Sequence, residues 1–292
     1  MGNVILNVIL PLYLLIFSGF LIGKLNPKLK TDTISFIVLY LFAPALIFTS
    51  FRNIEISLHN LSCITFTALG VFLGVFFLSL IVETFFLKRK NEAFEISSTV
   101  MNAGYLGIPL IYLMFGDNGI PYAITFMVVM AVLHFTLGIF ILQRENLKEG
   151  LVSVLKIPLI YAVIFAFFTK DVFIPQGIEK VIKLAGDATL PLMLVSIGIS
   201  LSRIKPSEIA FSFWGTVLRF LGGFFTAVLF TALFNCPDLI KKVLIVQSSL
   251  PSAILNYVLC ERFNKSPEVA ASIIFVSTLL FPIWLIILGI FV

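Results

Sequence analysis

The chain has 292 residues, of which 60% are hydrophobic and only 12% are charged, and its mean hydropathy is +1.11. A soluble domain carries about 25% charged residues, so this composition excludes a soluble globular protein and predicts an integral membrane protein. The net charge of +5 comes mainly from basic residues in short connectors, which indicates a role in membrane orientation and not in nucleic-acid binding.

Long apolar segments recur from one end of the chain to the other, and many approach the roughly 20 residues that a helix needs to cross a bilayer. The first of them carries no charge before Lys24, so it lacks the basic start of a signal peptide. We predict ten membrane-spanning helices, at residues 4–23, 33–51, 61–87, 93–115, 121–142, 151–169, 178–202, 208–234, 239–260 and 268–291.

Basic residues are unevenly shared between alternate connectors of these ten segments. One set of connectors carries twelve, namely Lys24, Lys28, Lys30, Lys88, Arg89, Lys90, Arg144, Lys148, Arg203, Lys205, Arg262 and Lys265. The other set carries six, namely Arg52, Lys170, Lys180, Lys183, Lys241 and Lys242. Because connectors rich in lysine and arginine stay in the cytoplasm, we predict a multi-pass protein of the cell membrane. Both termini are expected outside, and the connector 143–150 in the cytoplasm.

The connector 143–150 also divides the chain into two halves of five predicted helices each. An offset of 147 residues relates Pro11 to Pro158 and Pro44 to Pro191. We therefore predict a first five-helix repeat at 1–142 and a second at 151–292. An odd number of spans inverts the second repeat relative to the first, which is how many secondary transporters are built.

The fourth predicted helix contains residues that interrupt a helix, within the segment "MNAGYLGIPLIYLMFG". Asn102, Gly104, Gly107 and Pro109 each weaken or end helical structure. The same offset takes residue 104 to Pro251, in the segment "QSSLPSAILNY" of the ninth predicted helix. Backbone groups freed by an interruption cost several kcal/mol in hydrocarbon unless they find partners. Two interruptions at matching positions therefore predict a site for a substrate or an ion.

These residues carry a resemblance to a known family. The segment "NAGYLGIPL" resembles the Asn-x-Gly-x-x-Gly-x-Pro signature of the auxin efflux carrier family. The segment "QSSLPSAILNYVLCERFNKSPEVAASIIFVSTLLFPI" is similar to that family's ninth and tenth helices, and "GDATLPLMLVSIGISL" to its seventh. The resemblance covers essentially the whole chain, which lacks the long central loop of many plant members and so looks like a compact prokaryotic member.

The resemblance implies an all-α membrane fold like that of bile acid symporters and sodium/proton antiporters. In that fold, helices 1, 2, 6 and 7 form a scaffold, and helices 3–5 and 8–10 form a mobile core. The broken fourth and ninth helices cross within the core. The family transports small organic anions, such as malate or malonate in prokaryotes and auxin in plants. We also expect a homodimer formed through the scaffold helices.

Candidate substrate-binding residues cluster at the two interruptions, because buried amides need partners and glycines allow close backbone approach. The candidates are Asn102, Gly104, Tyr105, Gly107, Pro109, Gln247, Ser249, Pro251 and Asn256. The alternatives are that Asn102 only caps a kinked helix and that the glycines serve helix packing.

Three ionisable residues inside predicted helices are candidates for ion coupling or charge balance, because such residues are functional candidates by default in a membrane. They are Asp187, Arg219 and Glu83. Arg219 would balance the charge of an anion, or else form an ion pair with Glu83 or Glu95. Asp187 and Glu83 would carry a proton, or else lie at the two membrane interfaces.

Neutral oxygen atoms near Thr99, Asn102 and Ser248 would suit a sodium ion, and bile acid symporters bind sodium near these interruptions. No carboxylate is clearly placed there to offset the charge of the ion, and plant auxin carriers are not thought to depend on sodium. We expect no obligatory sodium coupling, which leaves uniport or proton-linked movement.

No cofactor, metal centre or enzymatic activity is expected, because three cysteines and two histidines show no metal-ligand spacing. The predicted function is secondary transport of a small organic anion by elevator-type alternating access. The alternatives are a passive anion channel and a sodium-coupled organic anion symporter.

Overall fold

The computed structural model describes residues 5–29, 31–52, 56–143, 158–169 and 172–291. In chain order its helices are α1 (Ile5–Leu25), α2 (Thr31–Arg52), α3 (Leu58–Leu87), α4 (Glu92–Thr99), α5 (Gly107–Phe115), α6 (Ile120–Gln143), α7 (Pro158–Phe168), α8 (Gln176–Leu201), α9 (Ile209–Leu233), α10 (Asp238–Ser248), α11 (Ile254–Arg262) and α12 (Pro267–Leu288). Within these ranges there is no strand, only one isolated β-bridge. The prediction of an all-α integral membrane protein is confirmed.

Seven helices, α1, α2, α3, α6, α8, α9 and α12, are long and apolar enough to cross a membrane. They coincide with the first, second, third, fifth, seventh, eighth and tenth predicted segments. The fourth predicted segment contains α4 and α5, and the ninth contains α10 and α11. The sixth predicted segment is described only from residue 158, where α7 begins. Residues 144–157, with most of the connector 143–150, lie outside the described residues, as do Lys30 and Lys170. The ten-helix inverted-repeat architecture therefore stays a prediction.

Local sequence explains where several helices begin. The Ser57 hydroxyl accepts a hydrogen bond from the Asn60 N–H at 3.2 Å before α3, and the Asn91 side chain accepts one from the Phe94 N–H at 3.0 Å before α4. Side-chain caps of this kind each contribute about 1 kcal/mol. Proline stands in the first turn of α6 and of α12, where its missing N–H would have had no helical partner.

The helices pack in two groups. In one group, α1 packs against α8, and α2 packs against α7 and α8. In the other, α3 packs against α4, α6 and α9, and α12 packs against α9 and α11. The contact between α1 and α8 depends on small residues, because a Cβ atom added at Gly198 would overlap the backbone of Ile16 and Phe20. Small residues allow this close approach between membrane helices.

Basic connectors meet at one end of the helix bundle. Arg89, which follows α3, forms an ion pair with Glu208, which precedes α9. Lys265, which follows α11, forms an ion pair of 2.9 Å with Glu92 at the start of α4. Three of the connectors predicted to share one side of the membrane are therefore neighbours in space.

The outward faces of the helices carry large apolar side chains. Phe17, Phe77, Phe167 and Phe225 are each more than half exposed on different helices. In water such a surface would aggregate, whereas in a bilayer it contacts lipid chains. The distribution of apolar side chains therefore agrees with a multi-pass membrane protein.

Candidate functional site

The interruptions of the two broken segments lie side by side and satisfy each other's backbone groups. The Asn102 N–H donates to the Pro251 carbonyl at 2.8 Å, and the Ala253 N–H donates to the Val100 carbonyl at 3.1 Å. Met101 and Ser252 form an antiparallel bridge between these two hydrogen bonds. We call the paired segments 100–106 and 249–253 the crossing. The pairing removes much of the cost of leaving backbone groups unsatisfied inside a membrane.

Two residues of the sequence signature have structural roles beside the crossing. Pro109 lies in the first turn of α5, where proline is tolerated because its missing N–H would have no helical partner. A Cβ atom added at Gly107 would overlap the Gln247 side chain. Gly107 thus allows α5 to lie directly against α10, and Gln247 is fully buried there.

Asn256 holds the crossing from within α11. Its side-chain Nδ2 donates to the Val100 carbonyl and to the Ser252 hydroxyl, each at 3.0 Å. The side chain is fully buried, and His134 of α6 lies next to it. Asn256 therefore links both paired segments. A further hydrogen bond of 3.1 Å connects the Ser252 N–H to Ser277 of α12.

Arg219 of α9 binds the ends of both half-helices that lead into the crossing. Its guanidinium donates to the Ser98 carbonyl at 2.8 Å and to the Thr99 carbonyl, which are the last two residues of α4. It also donates to the carbonyl of Ser248, the last residue of α10, at 2.6 Å. The side chain is fully buried. A cation near a helix C-terminus is favourable because the unpaired carbonyls give that end a partial negative charge.

A cavity of about 750 Å³ borders the crossing, and Arg219 is not part of its wall. It is bounded by α2, α6, α8, α11, the start of α7 and the segment 100–105. Asn102, Gly104 and Tyr105 line it, together with Ile254 and Leu255 in the first turn of α11. The segment that precedes α5 and the first turn of α11 thus line the cavity, whereas the C-terminal ends of α4 and α10 bind Arg219.

Comparison with known proteins gives the family. Residues 4–152 and 144–288 match the family described as "Membrane transport protein". The chain belongs to this family. An uncharacterized transporter of Methanocaldococcus jannaschii is 30% identical, over 94% of this chain and 94% of its own length. An uncharacterized transporter of Methanothermobacter thermautotrophicus is 24% identical, over 96% and 97% respectively. The resemblance to the auxin efflux carrier family is confirmed, and the protein is a membrane transporter.

The predicted substrate-binding residues of this transporter divide into two sets. Asn102, Gly104 and Tyr105 line the cavity. The others are buried in or behind the crossing and are absent from the cavity wall, namely Gly107, Pro109, Gln247, Ser249, Pro251 and Asn256. The Ser249 hydroxyl donates to the Ile245 carbonyl at 2.7 Å, so it bonds back to its own helix. Contact between this second set and a substrate stays a prediction.

The three ionisable candidates occupy different environments. Arg219 lies at the crossing, away from the cavity wall. Glu83 is fully buried in α3, accepts the Asn91 N–H at 2.8 Å and lies beside Glu95 of α4. Asp187 is exposed on α8. Glu83 therefore lies inside the group of helices that forms the crossing and Asp187 does not, while proton transfer by either residue stays a prediction.

Some of the predicted sodium oxygens already have hydrogen-bond partners. The carbonyls of Thr99 and Ser248 accept hydrogen bonds from Arg219, and the Thr99 hydroxyl donates to the Glu95 carbonyl at 2.7 Å. In the part of the chain that the structure describes, no group of three or more histidine, cysteine or acidic side chains is placed to hold a metal ion.

Several residues of the cavity wall escaped the sequence analysis. Ser35 of α2 lines the cavity and is close to the Tyr105 side chain. Ser196 and Ser200 of α8 also line it. Their spacing of four residues puts both on one helical face, and a pair of serines in the apolar C-terminal half of α8 was the available signal.

Proposed function

We propose that the protein is a secondary transporter that moves a small organic anion across the cell membrane by elevator-type alternating access. The observation that carries the proposal is the crossing of two interrupted helices beside a cavity. The cavity is lined by Asn102 and Tyr105 from one interrupted segment and by Ile254 and Leu255 from the other. Discontinuous helices with such a site between them are typical of secondary transporters.

The charge distribution around the crossing supports an anionic substrate. Helix N-termini carry partial positive charge and bind anions, whereas C-termini carry partial negative charge. Arg219 is hydrogen-bonded to the C-terminal carbonyls of α4 and α10. The partial positive charges at the N-termini of α5 and α11 would then act on an anion in the cavity. A volume of about 750 Å³ lies in the usual range for small-molecule sites and admits a malate- or malonate-sized dicarboxylate or an auxin-like acid.

The two packing groups of helices support an elevator movement. In this proposal α1, α2, α7 and α8 form the scaffold, and α3–α6 with α9–α12 form the mobile core. The cavity lies between the groups, with Ser35 and Ser196 on one side and Asn102 and His134 on the other. In this proposal the core carries the substrate past the scaffold, two inverted five-helix repeats supply the symmetry, and a homodimer forms through the scaffold helices.

Substrate uptake into proteoliposomes tests the proposal. We expect uptake of at least one member of a panel of malate, malonate and indole-3-acetate above that of protein-free liposomes, with no uptake of a cationic amine of similar size. Preloading the vesicles with unlabelled substrate should accelerate uptake, because a carrier exchanges substrate and a passive channel does not. Uptake of the amine alone would contradict the anion proposal, and uptake without acceleration by preloading would favour the channel.

The orientation proposal is tested by cysteine labelling in cells. A Glu145→Cys variant in the connector 143–150 should react with a membrane-impermeant maleimide only after the cytoplasmic side is exposed. An Asn118→Cys variant, in the exposed turn between α5 and α6, should react in intact cells. Both variants carry Cys236→Ser, since Cys63 and Cys260 are buried and Cys236 is only partly buried. The reverse pattern would invert the topology.

A further inference from the structure

Arg219 and the glycines around it form one face of α9 that fits the crossing. Gly215 and Gly223 stand four residues before and after Arg219, so all three lie on the same side of the helix. A Cβ atom added at Gly223 would overlap the Ser248 carbonyl and the Arg219 guanidinium, and one added at Gly215 would come within 3.1 Å of the Ser98 hydroxyl. Arg219 also lies in a π-helical turn, Leu218–Gly222. Such turns are often found at functional sites.

The charge of Arg219 matches what the two half-helices require. Each helix C-terminus is equivalent to about −0.5 elementary charge, so the converging ends of α4 and α10 together approach the charge that one guanidinium neutralises. The hydroxyls of Ser98 and Ser248 are also fully buried and, among the described residues, have no hydrogen-bond partner. Without the guanidinium, three carbonyl and two hydroxyl oxygens would remain at converging negative helix ends, and oxygen ligands of this kind bind hard cations.

We propose that Arg219 is the resident cation of the crossing, so that the transporter works without sodium there, and that a variant without the guanidinium binds a free cation in its place. The part of this inference that concerns transport rests on the proposed function. The part that concerns the cation does not, because binding at the crossing can be measured without any substrate.

Thermal unfolding of the purified, detergent-solubilised protein tests the cation directly. Arg219→Ala should unfold at a lower temperature than the wild type in choline chloride. Methylguanidinium chloride or sodium chloride at the same ionic strength should restore most of the loss, with saturation as concentration rises. The wild type should unfold at the same temperature in all three salts. Arg203→Ala removes an exposed arginine next to α8 and should show no cation dependence.

A second variant keeps the proposal testable if Arg219→Ala fails to fold. Arg219→Lys retains the charge with fewer donors, and it should fold and show no dependence on added cation. Wild-type protein stabilised by sodium relative to choline would overturn the proposal. So would an Arg219→Ala variant that folds but gains nothing from either cation, because Arg219 would then act by packing alone.

Transport supplies the second measurement. Wild-type uptake should be equal in sodium and choline media at fixed pH and membrane potential. Arg219→Ala in choline should lose roughly 10-fold or more, the scale of losing hydrogen bonds from a charged group, and should recover in methylguanidinium. Uptake by the wild type that collapses without sodium would overturn the proposal. If no panel substrate is transported, the unfolding result still decides whether Arg219 is a replaceable cation.

Discussion

Replacing Asn102 with alanine is expected to weaken substrate binding by about 10- to 150-fold, because a hydrogen bond to a charged ligand contributes roughly 1.5–3 kcal/mol. Asn102 lines the cavity and is 9% exposed. Its contribution to the crossing is made by its backbone, through the N–H that donates to Pro251, so the variant retains that pairing. The measurement is the substrate concentration that gives half-maximal uptake in proteoliposomes, with thermal unfolding as the check on folding.

Two variants make the Asn102 result specific. Asn118→Ala removes an exposed amide from the turn between α5 and α6 and should leave half-saturation unchanged. Asn256→Ala removes two hydrogen bonds that hold the crossing, so it should reduce the maximal rate of uptake and also lower the unfolding temperature. Wild-type half-saturation in Asn102→Ala would remove that side chain from the binding site.

Replacing Gly223 with alanine is expected to lower stability by about 1–3 kcal/mol, the usual cost of overpacking, and to reduce uptake strongly. The added methyl group would occupy the space of the Ser248 carbonyl and the Arg219 guanidinium. The neighbouring Gly222→Ala is the matched control. It makes the same change one residue earlier in α9, where the nearest atoms are Val75 and Leu78 methyl groups at 3.3–3.6 Å, which can shift slightly.

The comparison of these two variants separates crowding at the crossing from a general effect of alanine on the helix. Both substitutions raise helix propensity by up to about 1 kcal/mol, so that gain cancels between them. Thermal unfolding and uptake are measured on both proteins in parallel. Gly223→Ala should unfold at a clearly lower temperature than Gly222→Ala and should take up substrate more slowly. Equal values for the two variants would show that the close approach of α9 to the crossing is not required.

Sequence by itself determined the class of the protein and the positions of the interruptions. Apolar composition and the lengths of the apolar segments specify membrane helices, because backbone groups in hydrocarbon must be satisfied within the segment. The interruptions at 100–106 and 249–253 follow from glycine and proline, whose effects on the backbone are local. The family likewise follows from the signature around Asn102 and Pro251.

Only the tertiary structure decided which side chains face the cavity and which hold the crossing. In a membrane, both the lipid-facing and the packed faces of a helix are apolar, so a pattern of apolar residues does not indicate the buried face. Asn102 and Asn256 are both candidate binding residues in the sequence, yet Asn102 lines the cavity and Asn256 is fully buried against Val100 and Ser252.

Arg219 shows the same division between local and long-range information. The sequence alone made Arg219 a functional candidate, because a charged residue within an apolar membrane helix is costly to bury. Its partners could not be predicted from the sequence, because the carbonyls of Ser98, Thr99 and Ser248 lie 29 to 121 residues away in the chain. They lack intrahelical partners because they lie at helix C-termini, and they meet because the two helices end at the same place. The convergence of those two helix ends on one guanidinium is a property of the packed structure, in which Gly223 lets α9 approach the Ser248 carbonyl, and no local pattern specifies it.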